Sequence, residues 1–451
     1  MQRASHSPFL LSVHHPWRNY GQHFDCAGAG ATPQRTSVSG AHRGILGLSL
    51  CISSLLLVGA AHAQDEDNLR GAPAERTDAR QIRSQMNVVE NLLGKTADRG
   101  AVLYFLAVSH ARLGDILPAI DQLQKCVALK EGFDPSKDPA FAAINASGDF
   151  RKIVDQVHKD FPPVNDWRVA FTSTDKDLFP EGLEYDPAND FFYLSSLYHP
   201  KILRISPEGK IESFVSGQRT KLLPVMAIHL DPVDGTLWST SFDEDAQRSE
   251  ILHFDRAGEL LGRYPSSEHF AHEFHDLAAL RDGNLLVTDT LAAKVYRFDP
   301  RTQAFTTLPV SRPLFSPKGI ALTDDEKAVY VADQLGILRI DLQTDTCVEL
   351  DPGTHSTVAG IDGLYWHKDA LIGVQSDIGN PRIAAFHVSA DGLHVVKTTV
   401  LATSLASPTT GALRGDDFYF IVNSQADNLN GSHILDVTVL QPARIGVVHL
   451  P

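Results

Sequence analysis

A repeated pattern of short alternating strands constrains the fold of this chain more than any other feature of its sequence. Each copy contains an apolar strand, a tight turn, a second strand and a third, as at residues 277–279, 285–287 and 295–298. Equivalent positions in successive copies are 44, 51, 42, 44 and 48 residues apart, and these positions are Gly182, Met226, Leu277, Gly319, Gly363 and Gly411. Repeats of this length with about four strands each predict an all-β six-bladed β-propeller over residues 167–451.

One further strand precedes the first complete copy. This leading strand is at residues 168–171, Arg-Val-Ala-Phe, and follows a Pro-containing linker at residues 161–166. We predict that this strand pairs with the C-terminal blade, because closing the ring removes exposed strand edges.

A short α-helical domain is predicted in front of the propeller, at residues 77–160, where apolar residues recur three and four positions apart. Two of its helices meet at Gly114 and resemble a tetratricopeptide repeat, whose spacing is followed by Leu103, Leu106, Ala107, Gly114, Ala119, Leu123 and Cys126. Such arrays need about three units for stability, so we expect this domain to rest on its neighbour. It could serve as a docking surface for a protein partner or as a cap on the propeller.

Residues 1–63 are predicted to be an N-terminal extension and a signal peptide, followed by a linker at residues 64–76. His42 and Arg43 precede an apolar run that ends in Ala61-His62-Ala63, a small-x-small cleavage pattern. We therefore expect a periplasmic or secreted protein with no stable membrane span after cleavage. The alternative is an uncleaved anchor, because the run approaches spanning length.

Charge and motifs exclude several classes of function. The formal net charge is −15, and nucleic acid is an unexpected partner because phosphate binding needs an excess of Lys and Arg. The chain has no Cys-x-x-Cys spacing, no Gly-x-Ser-x-Gly, no phosphate loop and no dinucleotide fingerprint.

Two rings of residues are predicted at one mouth of the propeller channel. The start of each innermost strand and the end of the next, antiparallel strand share a face. The inner ring is Glu181, Val225, Asp276, Lys318, Asp362 and Thr410, with His275 beside Asp276. The second ring is His199, Asp243, Asp289, Asp333, Asp377 and Asn423. Converging carboxylates suit a hard cation such as Ca²⁺ or supply a general base for attack by water.

We predict that a small-molecule ligand binds at this mouth, with the second ring as its binding residues: His199, Asp289, Asp333, Asp377 and Asn423. The alternative for the aspartates is structural, because an aspartate at the end of a strand commonly accepts hydrogen bonds from turn N–H groups.

Four short motifs occupy equivalent positions in their blades. They are Pro180-Glu181-Gly182, His275-Asp276-Leu277, Pro317-Lys318-Gly319 and Ile361-Asp362-Gly363. Because of these motifs, residues 167–451 resemble the senescence-marker-protein, gluconolactonase and luciferin-regenerating superfamily. The resemblance implies one divalent metal, often Ca²⁺, at the channel mouth and hydrolysis of lactones. It implies Glu181 and Asp362 as metal ligands and Asp362 as general base. Asp276 is a further candidate ligand, and Lys318 and His275 complete the candidate catalytic set.

The sequence departs from that superfamily at two positions, because Lys318 and His275 stand where its members have Asn. An ammonium group repels a divalent cation and can itself neutralise the mouth carboxylates. Two functions therefore stay open. One is an exported, metal-dependent hydrolase of a lactone or small ester. The other is a non-catalytic propeller that binds a ligand or protein, and it predicts the Lys318 nitrogen within salt-bridge reach of two acids.

Overall fold

The computed structural model describes residues 73–244, 246–267, 270–431 and 433–451. The predicted signal peptide at residues 1–63 lies outside this part of the chain, and export stays a prediction. Among the described residues, no helix combines the length and apolarity that crossing a membrane requires.

Four helices come first, namely α1 Pro73–Glu90, α2 Arg99–Arg112, α3 Ile116–Ala128 and α4 Gly148–Asp160, with 3₁₀ turns at Pro135–Lys137 and Pro139–Phe141. Helix α2 begins after Asp98, whose carboxylate accepts a hydrogen bond from the Ala101 N–H and so caps the first turn. Gly114 has a φ of +79° and turns the chain from α2 into α3 without steric strain. The two-helix unit is therefore present, and its identity as a tetratricopeptide repeat stays a prediction.

The remaining chain forms six four-stranded antiparallel sheets, which confirms the predicted six-bladed propeller. Blade one is β2 Leu183–Asp186, β3 Phe191–Ser196, β4 Lys201–Ile205 and β5 Ile211–Ser216, and a short helix α5 Gly217–Thr220 follows it. Blade two is β6 Val225–Leu230, β7 Leu237–Asp243, β8 Arg248–Phe254 and β9 Leu260–Pro265. Blade three is β10 Phe274–Ala279, β11 Leu285–Asp289, β12 Lys294–Asp299 and β13 Ala304–Thr307.

The second half of the ring repeats this order. Blade four is β14 Ile320–Leu322, β15 Ala328–Asp333, β16 Gly336–Asp341 and β17 Cys347–Glu349. Blade five is β18 Ile361–His367, β19 Ala370–Gln375, β20 Arg382–Val388 and β21 Val395–Ala402. Blade six begins with β22 Gly411–Arg414 and β23 Asp417–Ile421, continues through an insertion with the hairpin β24 Leu429–Asn430 and β25 His433–Ile434, and returns in β26 Arg444–His449.

Strand β1, Arg168–Thr172, closes the ring. It pairs antiparallel with β26 and is the outermost strand of blade six, in the order β1-β26-β23-β22. The predicted closure is thus confirmed. The innermost strands contact one another around the whole ring, and apolar clusters join neighbouring blades, as where Phe192 and Leu194 pack with Tyr419 and Ile421. This burial of apolar surface is the main stabilising term for the propeller.

The helical domain packs on the propeller. Its apolar core includes propeller residues such as Phe315, and the ring of Phe105 meets that of Phe315 edge to face at a centroid distance of 6.0 Å. The Asp134 N–H donates to the Ile378 carbonyl oxygen at 3.0 Å, and Asn380 Nδ2 donates to Asp134 Oδ2 at 2.9 Å. Of the two roles left open for this domain, packing as a cap on the propeller is the one observed.

Asp98 is a buried link between the two domains. Its Oδ2 accepts hydrogen bonds from Thr357 Oγ1 at 2.6 Å and from the Val358 N–H at 3.0 Å, while Oδ1 accepts from the Ala101 N–H. Burial outweighs these bonds and raises the pKa of Asp98 to about 6.

This shift predicts a component of stability that depends on pH. Between about pH 4 and pH 6 the folded protein holds a proton on Asp98 that the unfolded chain has lost. The contribution of Asp98 to the free energy of unfolding therefore falls by about 3 kcal/mol as pH rises through this window, and it is constant above it. In urea denaturation across the window, the free energy of unfolding of Asp98→Asn should fall by about 3 kcal/mol less than that of the unmodified protein. The exposed Asp121→Asn is the control, and parallel profiles for all three proteins would contradict the assignment.

Candidate functional site

A cavity of about 410 Å³ lies between the helical domain and the propeller mouth. Helix α2 supplies its roof through Tyr104, Phe105 and Arg112. The propeller supplies the floor, which contains Glu181, Glu273, His275, Lys318, Asp362 and Asp377. The helical cap thus forms part of the wall of the candidate site.

The blade repeat brings the floor residues together. Glu181 and Lys318 lie two residues before β2 and β14, and His275 and Asp362 are the second residues of β10 and β18. Asp377 follows the end of β19 in the neighbouring strand of blade five. The starts of innermost strands and the ends of second strands therefore meet at one face, as the antiparallel geometry requires.

Three of these residues converge closely enough to hold a metal ion. Ligand atoms of Glu181, His275 and Asp362 all lie within 4.8 Å of one another, and the three side chains are buried. His275 Nε2 lies 3.4 Å from Asp362 Oδ1, and Ser376 Oγ donates to Asp362 Oδ2 at 3.2 Å. Within the described part of the chain, Glu181 Oε2 and Asp362 Oδ1 have no hydrogen bond. Glu181 Oε2 is thus available to a ligand, whereas Asp362 Oδ1 lies within ion-pair distance of His275 and Lys318.

Lys318 lies within the same group. Its Nζ is 3.4 Å from Asp362 Oδ1 and 3.2 Å from Asp377 Oδ2. The backbone of Lys318 is fixed by hydrogen bonds with Thr288 Oγ1 and with the Ala332 carbonyl oxygen. The nitrogen therefore reaches two acids, which is the arrangement that the non-catalytic hypothesis predicts.

Burial sets the charge states of the floor. It raises the pKa of Glu181 well above its usual value, and the nearby Asp362 raises it further while Lys318 opposes the shift. Burial, followed by the Lys318 ammonium, lowers the pKa of His275 to about 3, so the imidazole is neutral at physiological pH. Neutral imidazole offers a lone pair to a metal or a hydrogen-bond donor.

Asp276 is the one predicted metal ligand that the structure places apart from this group. Its carboxylate accepts hydrogen bonds from the Leu277 and Ile320 N–H groups, at 2.8 and 3.1 Å. Burial raises the pKa of Asp276 to about 7. His275, its neighbour in β10, joins Glu181 and Asp362 instead.

Of the predicted second ring, only Asp377 lines the cavity. The His199 side chain is exposed and lies 3.7 Å from Asp177 Oδ2. Asn423 is bonded to backbone, since its Oδ1 accepts from the Arg444 N–H and its Nδ2 donates to the Pro442 carbonyl oxygen. Both are therefore outside the ligand site as the structure forms it.

Asp289 and Asp333 have structural partners. Asp289 accepts from His272 Nδ1 at 2.6 Å and from the Glu273 and Ala292 N–H groups. Asp333 forms a bidentate ion pair with Arg312, with distances of 2.5 and 2.9 Å. Asp333 also accepts a hydrogen bond from the Leu335 N–H at 2.9 Å, so both carboxylates act as the alternative describes, as acceptors for turn N–H groups at strand ends.

Sequence reasoning did not identify Glu273 or the roof residues of α2. Glu273 lines the cavity just before β10, and burial raises its pKa to about 8. Its position two residues before the His275-Asp276-Leu277 motif is the signal that could have identified it. Nothing in the helical pattern indicates that Phe105 and Arg112 face a propeller channel.

The fold and the site together define a six-bladed β-propeller whose mouth cavity is roofed by helices. No protein-family profile matches the chain, and no curated protein matches it. Similar solved structures are propellers. A gluconolactonase from Xanthomonas campestris is 15% identical with a TM-score of 0.45, over 64% of this chain and 91% of that one. A virginiamycin B lyase from Staphylococcus aureus is 18% identical with a TM-score of 0.43, over 62% and 98%. A luciferin-regenerating enzyme is 15% identical with a TM-score of 0.44, over 63% and 95%.

Proposed function

We propose that this protein binds a small polar molecule in the roofed cavity, and that Lys318 neutralises the carboxylates of the floor in place of a divalent cation. The observation that carries the proposal is the position of the Lys318 nitrogen, 3.4 Å from Asp362 and 3.2 Å from Asp377. Charges that are buried with a partner and hydrogen bonds persist, whereas unpaired buried charges are strongly disfavoured.

The same geometry argues against a cation in the unmodified protein. A divalent ion bound by Glu181, His275 and Asp362 would share the Asp362 carboxylate with the Lys318 ammonium. Repulsion between such charges at about 5 Å amounts to several kcal/mol even at an effective dielectric constant of about 20. We therefore expect the unmodified protein to bind Ca²⁺ weakly or not at all.

Calorimetric titration of Ca²⁺ into chelator-treated protein tests this expectation. No heat of binding should appear with the unmodified protein, and binding should appear with Lys318→Asn, which removes the ammonium and adds a neutral oxygen ligand. The exposed Lys327→Asn should behave as the unmodified protein does. Tight binding of Ca²⁺ by the unmodified protein would contradict the proposal and favour the second candidate.

The second candidate is hydrolysis of a lactone or small ester with a divalent cation. It is favoured by the convergence of Glu181, His275 and Asp362 and by the two carboxylate oxygens without hydrogen bonds. These are donor types that a divalent cation accepts, and the neutral His275 adds a nitrogen. A bound cation would polarise the carbonyl group of the substrate. In this candidate Asp362, whose Oδ2 accepts a hydrogen bond from Ser376, would accept a proton from the attacking water.

This candidate is tested by measuring the turnover of γ- and δ-lactones in the presence of Ca²⁺, with proton release as the readout. Hydrolysis should fall by about 100-fold or more in Asp362→Asn, since general-base catalysis contributes at least that factor. It should stay unchanged in Asp325→Asn, whose side chain is exposed on blade four. If none of these proteins hydrolyses a lactone, the hydrolase hypothesis is wrong and the binding function remains.

A further inference from the structure

The roof of the cavity carries an apolar stripe along one face of α2. Ala101, Tyr104, Phe105 and Val108 all line the cavity. Their i, i+3, i+4 and i+7 spacing places them on the same face of the helix. Ile82 of α1 lines the cavity as well. The helical domain therefore contributes an apolar wall opposite the polar floor of the propeller.

This stripe is additional to the face that α2 uses within its own domain. Eleven of the 14 residues of α2 are buried, and they include Leu103, Leu106 and Ala107 of the domain core. A helix that is apolar on most sides normally packs against protein on all of them. One part of the stripe does so, since the ring of Phe105 meets that of Phe315. Where the stripe borders the cavity, a ligand can supply the dispersion contacts that a protein neighbour would give.

A hydrogen-bond acceptor lies beside this apolar wall. Gln334 lines the cavity, and its N–H donates to the carbonyl oxygen of Phe315, the residue that packs on Phe105, at 2.9 Å. Its side-chain Oε1 is buried and has no hydrogen bond with any residue that the structure describes. A buried acceptor without a donor costs free energy, and an N–H or O–H group of a ligand would remove that cost.

We propose that the ligand of this cavity is amphipathic, with an N–H or O–H donor for Gln334 Oε1 and a short hydrocarbon group that lies against Tyr104, Phe105 and Val108. The inference rests on the proposed function, that the cavity binds a small molecule, and it adds the chemistry of the part that faces the roof. A volume of about 410 Å³ suits such a ligand, because small-molecule sites of this size combine apolar walls with a few polar groups that fix orientation.

Three uncharged cyclic amides test the inference. They are 3-methyl-, 3-butyl- and 3-(3-hydroxypropyl)piperidin-2-one, titrated by calorimetry into the unmodified protein, and the ring N–H of each is a donor. The butyl compound should bind about tenfold or more tighter than the methyl compound, since each buried methylene contributes up to about fourfold. It should also bind about tenfold tighter than the hydroxypropyl compound, which has the same length but brings a hydroxyl group to the apolar wall.

Variants of α2 assign this preference to the roof. Val108→Thr keeps the shape of the side chain and places a hydroxyl group on the wall, so the ratio of butyl to hydroxypropyl affinity should fall by about threefold or more. Phe105→Leu shortens the wall and should lower the ratio of butyl to methyl affinity. The matched control is Val102→Thr, the same change at a buried position of α2 outside the cavity lining, and it should keep both ratios.

The polar half of the ligand is tested at Gln334. Gln334→Met keeps the length of the side chain and removes the acceptor. It should weaken all three compounds by a similar factor of about fivefold, because a hydrogen bond between neutral groups contributes about that much. Unchanged affinities in this variant would overturn the hydrogen bond assigned to Gln334.

Failure of the inference and failure of the proposed function give different results. If the compounds bind but the methyl or hydroxypropyl compound binds as tightly as the butyl compound, the apolar subsite is wrong and the cavity remains a ligand site. If none of the three binds to any of the proteins, the proposed binding function fails and the inference falls with it. A butyl preference that Val108→Thr and Phe105→Leu both leave intact overturns the assignment to α2.

Discussion

Replacement of Asp333 by Ala is expected to lower the free energy of unfolding by about 3–5 kcal/mol. Asp333 is 1% exposed, and its carboxylate pairs with the Arg312 guanidinium through both oxygens. Arg312 also donates to Glu349, which in turn accepts from the Ala97 N–H of the helical domain at 2.9 Å. Removing the carboxylate leaves a buried guanidinium with half of its countercharge, and desolvation then dominates.

Urea denaturation measures this loss. The control is Asp325→Ala on the same blade, whose carboxylate pairs with Lys327 at the surface. An exposed pair of this kind contributes little to the free energy of unfolding, because solvent screens it. Because Asp333 lies outside the cavity lining, the affinity of the folded Asp333→Ala protein for cavity ligands should stay unchanged. A cost below about 1 kcal/mol, or a loss of ligand affinity in the folded protein, would contradict a structural role.

The propeller could be predicted from the sequence because its signals are local. Alternating apolar residues define each strand, and turns such as that at Gly283, with a φ of +84°, mark where the strand reverses. The repeat then places equivalent residues in phase, so the meeting of Glu181, Lys318 and Asp362 at one mouth followed from their position in the blade. Closure by β1 followed from the cost of an open strand edge.

The sequence could not predict which residues of the second ring line the cavity, because residues at equivalent positions in different blades have different partners. Asp333 and Asp377 both come at the end of the second strand of a blade. Asp333 pairs with Arg312, which lies in the loop between blades three and four, and Asp377 faces Lys318 in the cavity. Strand position alone does not say which basic side chain a carboxylate will meet.

The roof of the cavity also could not be predicted from the sequence. The periodicity of α2 indicates that it is buried on most sides, and it does not indicate which surface covers it. The contacts that place Phe105 and Arg112 over the mouth depend on pairs more than 200 residues apart, such as Asp98 with Thr357. Long-range packing of this kind leaves no local pattern.

Lys318→Asn is expected to show the second large effect, a loss of about 3–5 kcal/mol in the free energy of unfolding when no divalent cation is present. Lys318 Nζ lies within 3.4 Å of both Asp362 and Asp377, and the Lys318 and Asp362 side chains are each at most 10% exposed. Without the ammonium these carboxylates repel each other and Glu181 in a desolvated cavity. Lys327→Asn, at an exposed ion pair, should leave the free energy of unfolding nearly unchanged, because solvent screens the pair.

Ca²⁺ should then restore part of the stability of Lys318→Asn. A ligand present at about 100 times its dissociation constant stabilises the folded state by about 2.7 kcal/mol. Thermal denaturation with Ca²⁺ or with chelator should therefore give a higher Tm with Ca²⁺ for this variant, and equal values for the unmodified protein. If Ca²⁺ raises the Tm of the unmodified protein equally, Lys318 is not the countercharge of the floor. If it raises neither, the three ligand atoms of Glu181, His275 and Asp362 do not form a cation site even after the ammonium is removed.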